Sequence, residues 1–127
     1  MLGISPKRIV LPALALLAAT APGFARSTQS SFDGRWSVVI ITDAGACDRS
    51  YRYGVDISRG RVSYAGDSGV LVSGGVDPHG RISVNLRYGQ AAAQGSGRLS
   101  RSGGEGRWQG ASSGARCSGR WLAERRD

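Results

Sequence analysis

The sequence contains few of the side chains from which enzymes and metal proteins build their active sites. Among its 127 residues are one histidine, two cysteines and two glutamates. The histidine, His79, lies in Asp77-Pro78-His79-Gly80, whose residues are typical of an exposed type I turn. Because a general base or a metal site needs several such groups held together, we predict no catalytic residue, no metal site and no enzymatic activity.

Lysine is also almost absent, since Lys7 is the only one in the chain. Arginine therefore supplies nearly all of the 17 basic residues, which together with 9 acidic residues give a formal net charge of +8. The guanidinium group binds phosphates and carboxylates, so this composition is compatible with an acidic surface partner. The arginines are spread along the chain without clustering, and we predict that the protein does not bind nucleic acid.

Long apolar runs are missing except near the start of the chain. The basic pair Lys7-Arg8 precedes an apolar run from Ile9 to Ala19, and Gly23-Phe24-Ala25 follows with small residues at the positions that a signal peptidase reads. This pattern predicts a signal peptide over residues 1–25, because the apolar run is too short for a transmembrane helix. We therefore expect an exported bacterial protein, periplasmic or secreted, with no membrane span.

The rest of the chain has the length of one small domain. We predict a flexible polar leader over residues 26–31 and a single domain over residues 32–127, and we expect a monomer. Cys47 and Cys117 both lie in this domain, and two cysteines in an exported chain are expected to form a disulfide bond. The bond would join the end of the first predicted strand to the start of the last.

Glycine is abundant, with 20 residues, and it recurs in one short pattern. Glycine, arginine and an apolar residue follow one another six times, at Gly34-Arg35-Trp36, Gly60-Arg61-Val62, Gly80-Arg81-Ile82, Gly97-Arg98-Leu99, Gly106-Arg107-Trp108 and Gly119-Arg120-Trp121. Each copy is predicted to begin a strand: the glycine ends a turn, the arginine faces solvent and the apolar residue faces the core. Polar and apolar residues alternate between these points, which predicts eight short antiparallel strands and no helix.

Eight strands of this kind form either a barrel or two stacked sheets. We predict an all-β fold, a small antiparallel eight-stranded up-and-down barrel, because the disulfide would bring the first and last strands together and their pairing would close the sheet. The alternative is a two-sheet β-sandwich. Three local expectations accompany this fold. Asp43 is predicted to be a turn residue, the end from Glu124 to Asp127 to be solvated, and the small residues from Ala91 to Gly97 to mark a bend or a close contact.

The tyrosines are the best candidates for a ligand site. Alternation places Tyr53, Tyr64 and Tyr88 on inward faces, and the small residues from Ala91 to Gly97 would leave room beside them. An eight-stranded barrel can hold one small ligand, and tyrosine is also a known ligand of haem iron. The leading hypothesis is therefore a binding protein for an unidentified small ligand, with haem as the one cofactor left open. If the tyrosines are core residues instead, the protein would be a periplasmic or secreted protein–protein or surface interaction module without a small ligand.

Phe32-Asp33-Gly34-Arg35-Trp36 resembles the Gly-x-Trp opening of calycin-type barrels, the lipocalins and avidins, in which the tryptophan plugs one end of the barrel. Most of the predicted domain also resembles a group of small exported alphaproteobacterial proteins that are described as proteins of haem utilisation or adhesion. The stretches that carry this second resemblance are Phe32 to Asp48, Tyr51-Arg52-Tyr53 and Cys117 to Arg126. The resemblance implies a role in haem utilisation or adhesion and supplies no site residues.

Overall fold

Eight strands follow one another around a ring, and each pairs with its neighbours in the sequence. They are β1 (Gly34–Ala44), β2 (Ser50–Ser58), β3 (Arg61–Tyr64), β4 (Val70–Val76), β5 (Arg81–Tyr88), β6 (Ala91–Leu99), β7 (Gly103–Ser112) and β8 (Ala115–Arg125). β1 also pairs with β8 in antiparallel orientation, which closes the sheet into a barrel. The predicted up-and-down barrel is therefore confirmed, and the alternative of two stacked sheets is wrong.

The computed structural model describes residues 30–66 and 69–126. The predicted signal peptide, residues 1–25, and most of the predicted leader, residues 26–31, lie outside the described residues. Within the described ranges, no helix is long and apolar enough to cross a membrane.

The strands of the barrel pair extensively with their neighbours except between β3 and β4. Other neighbouring strands pair over four to ten positions. β3 and β4 share a single registered pair, Arg61 with Gly75, and the Val76 N–H donates to the Gly60 carbonyl at 2.8 Å beside it. Because β3 ends at Tyr64, this side of the wall is the least tightly paired part of the barrel.

The hydrophobic core lies at the end of the barrel where β1 begins, called the closed end below. Its buried side chains come from five strands and from the segment just before β1, and they are Phe32, Trp36, Ile57, Val62, Leu99 and Trp121. Trp36 is 1% exposed, and its indole N–H donates to the Phe32 carbonyl at 2.9 Å. Trp36 thus plugs the closed end, the position that the Gly-x-Trp resemblance implies.

Arg125 fastens the last strand over this plug. Its guanidinium carbon lies 4.7 Å from the centroid of the Trp36 ring. The same guanidinium donates to the backbone carbonyls of Ser31, Asp33 and Arg101, at 2.8, 2.7 and 2.8 Å. The prediction that residues 124–127 form a solvated end is therefore wrong at Arg125, which joins the start of the domain to its end.

Asp33 ties the start of the domain to the turn between β2 and β3. Its carboxylate accepts hydrogen bonds from the backbone N–H groups of Arg59 and Gly60, at 2.8 and 3.0 Å, and from the Ser30 hydroxyl at 2.8 Å. Partial burial raises the pKa of Asp33, but these hydrogen bonds together outweigh it and hold the pKa below its ordinary value of 3.8. Asp33, just before β1, is thus held on the closed end as an anion.

The repeated Gly-Arg pattern is confirmed in its side-chain orientation and only partly in its position. In all six copies the arginine is exposed and the next residue is buried or half-buried. Gly34, Gly60 and Gly80 stand at strand entrances with φ of 137°, 76° and 91°, values that favour glycine. The copies that start at residues 97, 106 and 119 lie inside β6, β7 and β8, so the prediction that they begin strands is wrong.

Glycines inside the strands make room for a tryptophan ring. Trp121 of β8 lies across β7 and reaches β6, where its indole N–H donates to the Ser96 carbonyl at 3.1 Å. A Cβ atom on Gly97 would stand 2.6 Å from Cζ2 of Trp121, and one on Gly106 would meet the same ring at 2.5 Å. The close contact predicted along β6 is therefore confirmed, and the contact is with Trp121.

Cys47 and Cys117 form the predicted disulfide bond, with their Cα atoms 6.1 Å apart. Cys47 lies in the loop between β1 and β2, whereas Cys117 is buried in β8. Thr42 is also buried, and its hydroxyl donates to the Asp48 carbonyl in the same loop at 2.6 Å. The bond therefore fastens this loop to β8 at the end of the barrel opposite the core, called the open end below.

Asp43 lies in β1, so the prediction of a turn residue is wrong. The pairing of β1 with β8 shifts by one residue between Thr42 and Ala44, which leaves Asp43 as the extra residue of a bulge. Its carboxylate accepts two hydrogen bonds from Arg120 of β8, at 2.8 and 3.0 Å. Asp43 therefore belongs to the outer surface of the wall.

Candidate binding site at the open end of the barrel

Apolar side chains on the inward faces of the strands are half-buried where they lie outside the core. The core side chains at the closed end are buried, whereas Val38, Ile40, Val72 and Leu86, farther along the inward faces, are half-buried. Solvent reaches an inward side chain of a closed barrel only from the interior or through a gap in the wall. The inner surface beyond the core is therefore apolar and partly accessible, except at Thr42 and Cys117, which are buried at the open end.

Three tyrosines lie together on this part of the inner wall. Tyr53 of β2 and Tyr64 of β3 meet edge to face, with ring centroids 5.9 Å apart and planes at 77°. Tyr51, two residues before Tyr53 on the same face of β2, stacks against it with centroids 6.0 Å apart and planes at 23°. Alternation along β2 places both rings on the side of Ile57, which is buried in the core. We call Tyr51, Tyr53 and Tyr64 the tyrosine cluster.

The structure brings together two of the three tyrosines predicted for the site. Tyr88 ends β5, is 60% exposed and lies next to Gly69, and within the described residues it makes no ring contact with the cluster. Tyr51 is missing from the predicted set although it shares the inward face of Tyr53. The alternation of β2 could have identified it, because residues 51 and 53 are separated by one full period of a strand.

The electrostatics of the cluster favour a neutral phenol. Partial burial raises the pKa of Tyr53, and repulsion by the neighbouring Tyr51 and Tyr64 hydroxyls raises it further. Tyr53 therefore keeps its proton at neutral pH and can donate or accept a hydrogen bond. Haem iron binds tyrosine as the phenolate, so direct coordination would require the iron to displace the Tyr53 proton.

The space beside the cluster is narrower than the sequence suggests. Small residues on the inward face of β6 are predicted to leave room for a ligand, but Trp121 occupies the position in front of Gly97. The same ring would lie 3.6 Å from a Cβ atom on Gly95. Ala91 and Ala93, nearer the open end, are half-buried. Trp121 therefore fills the interior in front of β6 and β7, on the side of the barrel away from the tyrosines.

The other reactive side chains are not assembled into a site. His79 is exposed in the predicted turn between β4 and β5, where the Asp77 carboxylate accepts hydrogen bonds from the backbone N–H groups of His79 and Arg81. Ser112 has the Gly-x-Ser-x-Gly sequence of residues 110–114 around it, but it ends β7 at a hairpin instead of a strand-to-helix turn. Within residues 30–66 and 69–126, no group of three His, Cys, Asp or Glu side chains could hold a metal ion.

Comparison with known proteins gives no match. No protein-family model matches the chain, and no curated protein and no solved structure is significantly similar to it. The proposals that follow therefore rest on the residues of this chain.

Proposed function

We propose that the protein is an exported binding protein that takes a small, planar and largely apolar ligand into the open end of its barrel. One observation carries the proposal: the apolar side chains on the inner wall, Val38, Ile40, Val72 and Leu86 among them, are half-buried next to an aromatic cluster. Ligand pockets in proteins are mostly apolar with a few polar groups that fix orientation. The mouth of a small barrel is a common place for such a pocket.

The tyrosine cluster supplies both parts of this chemistry. The ring of Tyr53 offers a face or an edge to a planar ligand, since aromatic rings attract one another in stacked and edge-to-face arrangements. Its hydroxyl, which stays protonated, can bond a polar edge of the ligand. The disulfide bond at the same end keeps the loop between β1 and β2 in place, so the mouth is formed before the ligand arrives.

A porphyrin is the natural test ligand for this proposal. The resemblance to proteins of haem utilisation points to this class of molecule, and a porphyrin ring is planar and apolar with polar carboxylates at one edge. We expect the ring to be held by stacking against the cluster and by burial, with the neutral Tyr53 hydroxyl as a hydrogen-bonding group. Metal-free protoporphyrin IX should then bind about as well as haem.

Quenching of tryptophan fluorescence in the purified protein tests this expectation. We expect haem and protoporphyrin IX to bind with affinities within about threefold of each other, and Tyr53→Ala to weaken both by about tenfold through loss of the aromatic contact. Tyr53→Phe keeps the ring and should retain most of the affinity. Tyr88→Ala, at an exposed tyrosine outside the cluster, is the matched control and should leave both affinities unchanged.

Two outcomes would contradict the proposal. If neither porphyrin is bound, a planar apolar ligand is the wrong class. If Tyr53→Phe abolishes the Soret shift of haem while protoporphyrin IX still binds, the tyrosine coordinates iron and the stacking mechanism is wrong.

The second candidate function is an interaction module without a small ligand. It is favoured by the closed half of the barrel, where Trp36 and Trp121 fill the interior, and by the outer face of β4–β8, which carries open grooves of about 920 and 640 Å³. Such a module would bind its partner through the outer surface of the barrel.

A further inference from the structure

A row of uncharged polar side chains crosses the outer face of five neighbouring strands. The registers of β4 to β8 place its members directly opposite one another, in the order Ser73, Asn85, Gln94, Gln109 and Ser118. All are exposed except Ser118, which is half-buried. We call this row the polar belt. With strands about 4.8 Å apart, its length is on the order of 20 Å.

The polar belt has unused hydrogen-bonding capacity. Within the described ranges, none of its five side chains forms a hydrogen bond with another residue. Each amide of Asn85, Gln94 and Gln109 offers two N–H donors and one carbonyl acceptor, and each serine offers a hydroxyl. The belt therefore presents alternating donors and acceptors to whatever lies against it.

The belt is part of a concave surface. Asn85, Gln94, Gln109 and Ser118 line the groove of about 640 Å³ together with the small hydroxyl side chains of the next row. That row begins with Ser83 opposite Ser96, and both serines also line the larger groove of about 920 Å³. The two grooves are therefore continuous along the outer face, and a chain-like ligand could lie in them.

One side of the belt carries a net positive charge. Arg107 and Arg120 stand directly opposite each other in β7 and β8. The Asp43 carboxylate is engaged by Arg120, whose hydrogen bonds lower its pKa most, with partial burial opposing and the attraction of both arginines adding to the effect. Within the described part of the chain, Arg107 forms no hydrogen bond and no ion pair of its own.

The other side of the belt is also basic. The next row contains Arg87 of β5 and Arg116 of β8, with Ala92 and Ala111 between them, and it ends in β4 at the exposed Leu71. The alanines leave a shallow floor between the two guanidinium groups. Amides and hydroxyls in the middle are therefore bordered by four arginines and one aspartate.

We infer that this groove binds an acidic polysaccharide. The amides and hydroxyls of the polar belt would bond the hydroxyl groups of successive sugars, and the arginines along its borders would pair with their carboxylates. A nucleic acid fits less well, because the belt has no aromatic side chain on which bases could stack. An apolar partner fits less well still, since the belt itself contains no apolar side chain. The site lies on the outer face of the wall and is independent of the open end.

Titration calorimetry with three polymers tests the inference on the purified protein. Oligogalacturonate has both hydroxyls and carboxylates, polyglutamate has carboxylates without sugar hydroxyls, and dextran has hydroxyls without charge. We expect oligogalacturonate to bind, with an affinity that falls as salt is added, and the other two polymers to bind at least about tenfold more weakly.

Variants locate the binding on the groove. Arg107→Gln and the double variant Gln94→Ala/Gln109→Ala should each weaken oligogalacturonate binding by about tenfold, the effect of losing charged or multiple hydrogen bonds. Arg52→Gln removes the same charge on the outer face of β2, away from the groove, and should change the affinity less than about twofold. Tyr53→Ala should leave it unchanged, which separates this site from the one at the open end.

Three results would overturn the inference. These are the absence of oligogalacturonate binding, equal binding of polyglutamate, and equal weakening by Arg52→Gln and Arg107→Gln. The second and third would mean that net charge attracts the polymer and that the belt contributes nothing specific.

Discussion

At the scale of single residues, the closed end depends on Arg125 more than on any charged pair at the surface. Its guanidinium covers Trp36 and bonds three carbonyls from the leader and from the turn between β6 and β7. Such planar, multidentate binding needs the fork of donors that arginine has and lysine lacks. The three salt bridges within residues 30–66 and 69–126, by contrast, join exposed side chains, and pairs of that kind contribute little to stability.

Replacing Arg125 should therefore destabilise the barrel. We expect Arg125→Ala to lower the free energy of unfolding by about 3 kcal/mol, through the loss of charged hydrogen bonds and of the contact with Trp36, and Arg125→Lys to recover only part of it. Denaturant unfolding, followed by tryptophan fluorescence, measures both.

The neighbouring residue provides the control for this prediction. The Arg126 guanidinium forms an exposed salt bridge with Glu124 and bonds nothing in the core. Arg126→Ala should change the free energy of unfolding by less than about 0.5 kcal/mol. Equal effects of the two alanine substitutions would show that the closed end does not depend on Arg125.

Residue roles could be predicted from the sequence where a local period decides them. The inward positions of Tyr53 and Tyr64, the burial of Trp36 and the turn at Asp77–Gly80 all follow from alternation or from turn chemistry. Arg125 follows from neither. It occupies an inward position after Trp121 and Ala123. Only the folded chain shows that its guanidinium donates hydrogen bonds there to the carbonyls of three residues distant in sequence.

At the scale of elements, β6 and β7 differ from the other strands because a tryptophan ring replaces their own inward side chains. Gly97 and Gly106 stand opposite each other and form the floor on which Trp121 lies. Glycine weakens an isolated strand, so these strands depend on the ring for their packing. At the level of Gly97 and Gly106, the interior of the barrel is thus filled by a side chain of β8.

A methyl group on this floor should be poorly tolerated. We expect Gly97→Ala to lower the free energy of unfolding by about 2–3 kcal/mol, because its Cβ would collide with the Glu105 carbonyl oxygen, with Gly106 and with Trp121. Gly95→Ala, on the same face of the same strand, is the control, since its Cβ would make contacts of 3.6 Å or more. It should be close to neutral or slightly stabilising.

Thermal unfolding of the two variants distinguishes the outcomes. A loss of stability that is confined to Gly97→Ala supports the close packing of Gly97 against β7 and Trp121. If both variants are equally destabilised, the strand requires glycine for a reason other than Trp121.

The register between neighbouring strands is the feature of these elements that could not be predicted from the sequence. Each member of the polar belt could be assigned to an outward face from its own strand. The alignment of Asn85 with Gln94, and of Gln94 with Gln109, depends on turn lengths and on the absence of bulges in β5–β7. A shift of one residue would have broken the row, so the belt became visible only in the folded barrel.

At the scale of the whole molecule, the disulfide bond is the main constraint on the unfolded chain. Cys47 and Cys117 are separated by 70 positions, and cross-linking a loop of that size stabilises a protein by about 4 kcal/mol in the chain-entropy treatment. A small barrel with a core of six buried side chains has a low stability to begin with. The disulfide bond therefore supplies a large share of the free energy of unfolding of the barrel.

Removing the bond should bring the barrel close to unfolding. We expect the double variant Cys47→Ala/Cys117→Ala to lose about 4 kcal/mol of unfolding free energy and to melt well below the parent protein. Denaturant titrations of both proteins measure the difference. A loss of less than about 1 kcal/mol would mean that the unfolded chain is already compact or that the native bond is not needed to hold the open end.

The pairing of β1 with β8 has a consequence for the way the barrel forms. All other neighbouring strands are joined by short connections, so the entropy cost of loop closure falls almost entirely on this one pairing. Until residues 115–125 arrive, β1 has a bare lateral edge beside Val39 and Ile41, and such an edge readily recruits other chains. Pairing with β8 therefore ends the period during which the edge of β1 can bind other chains.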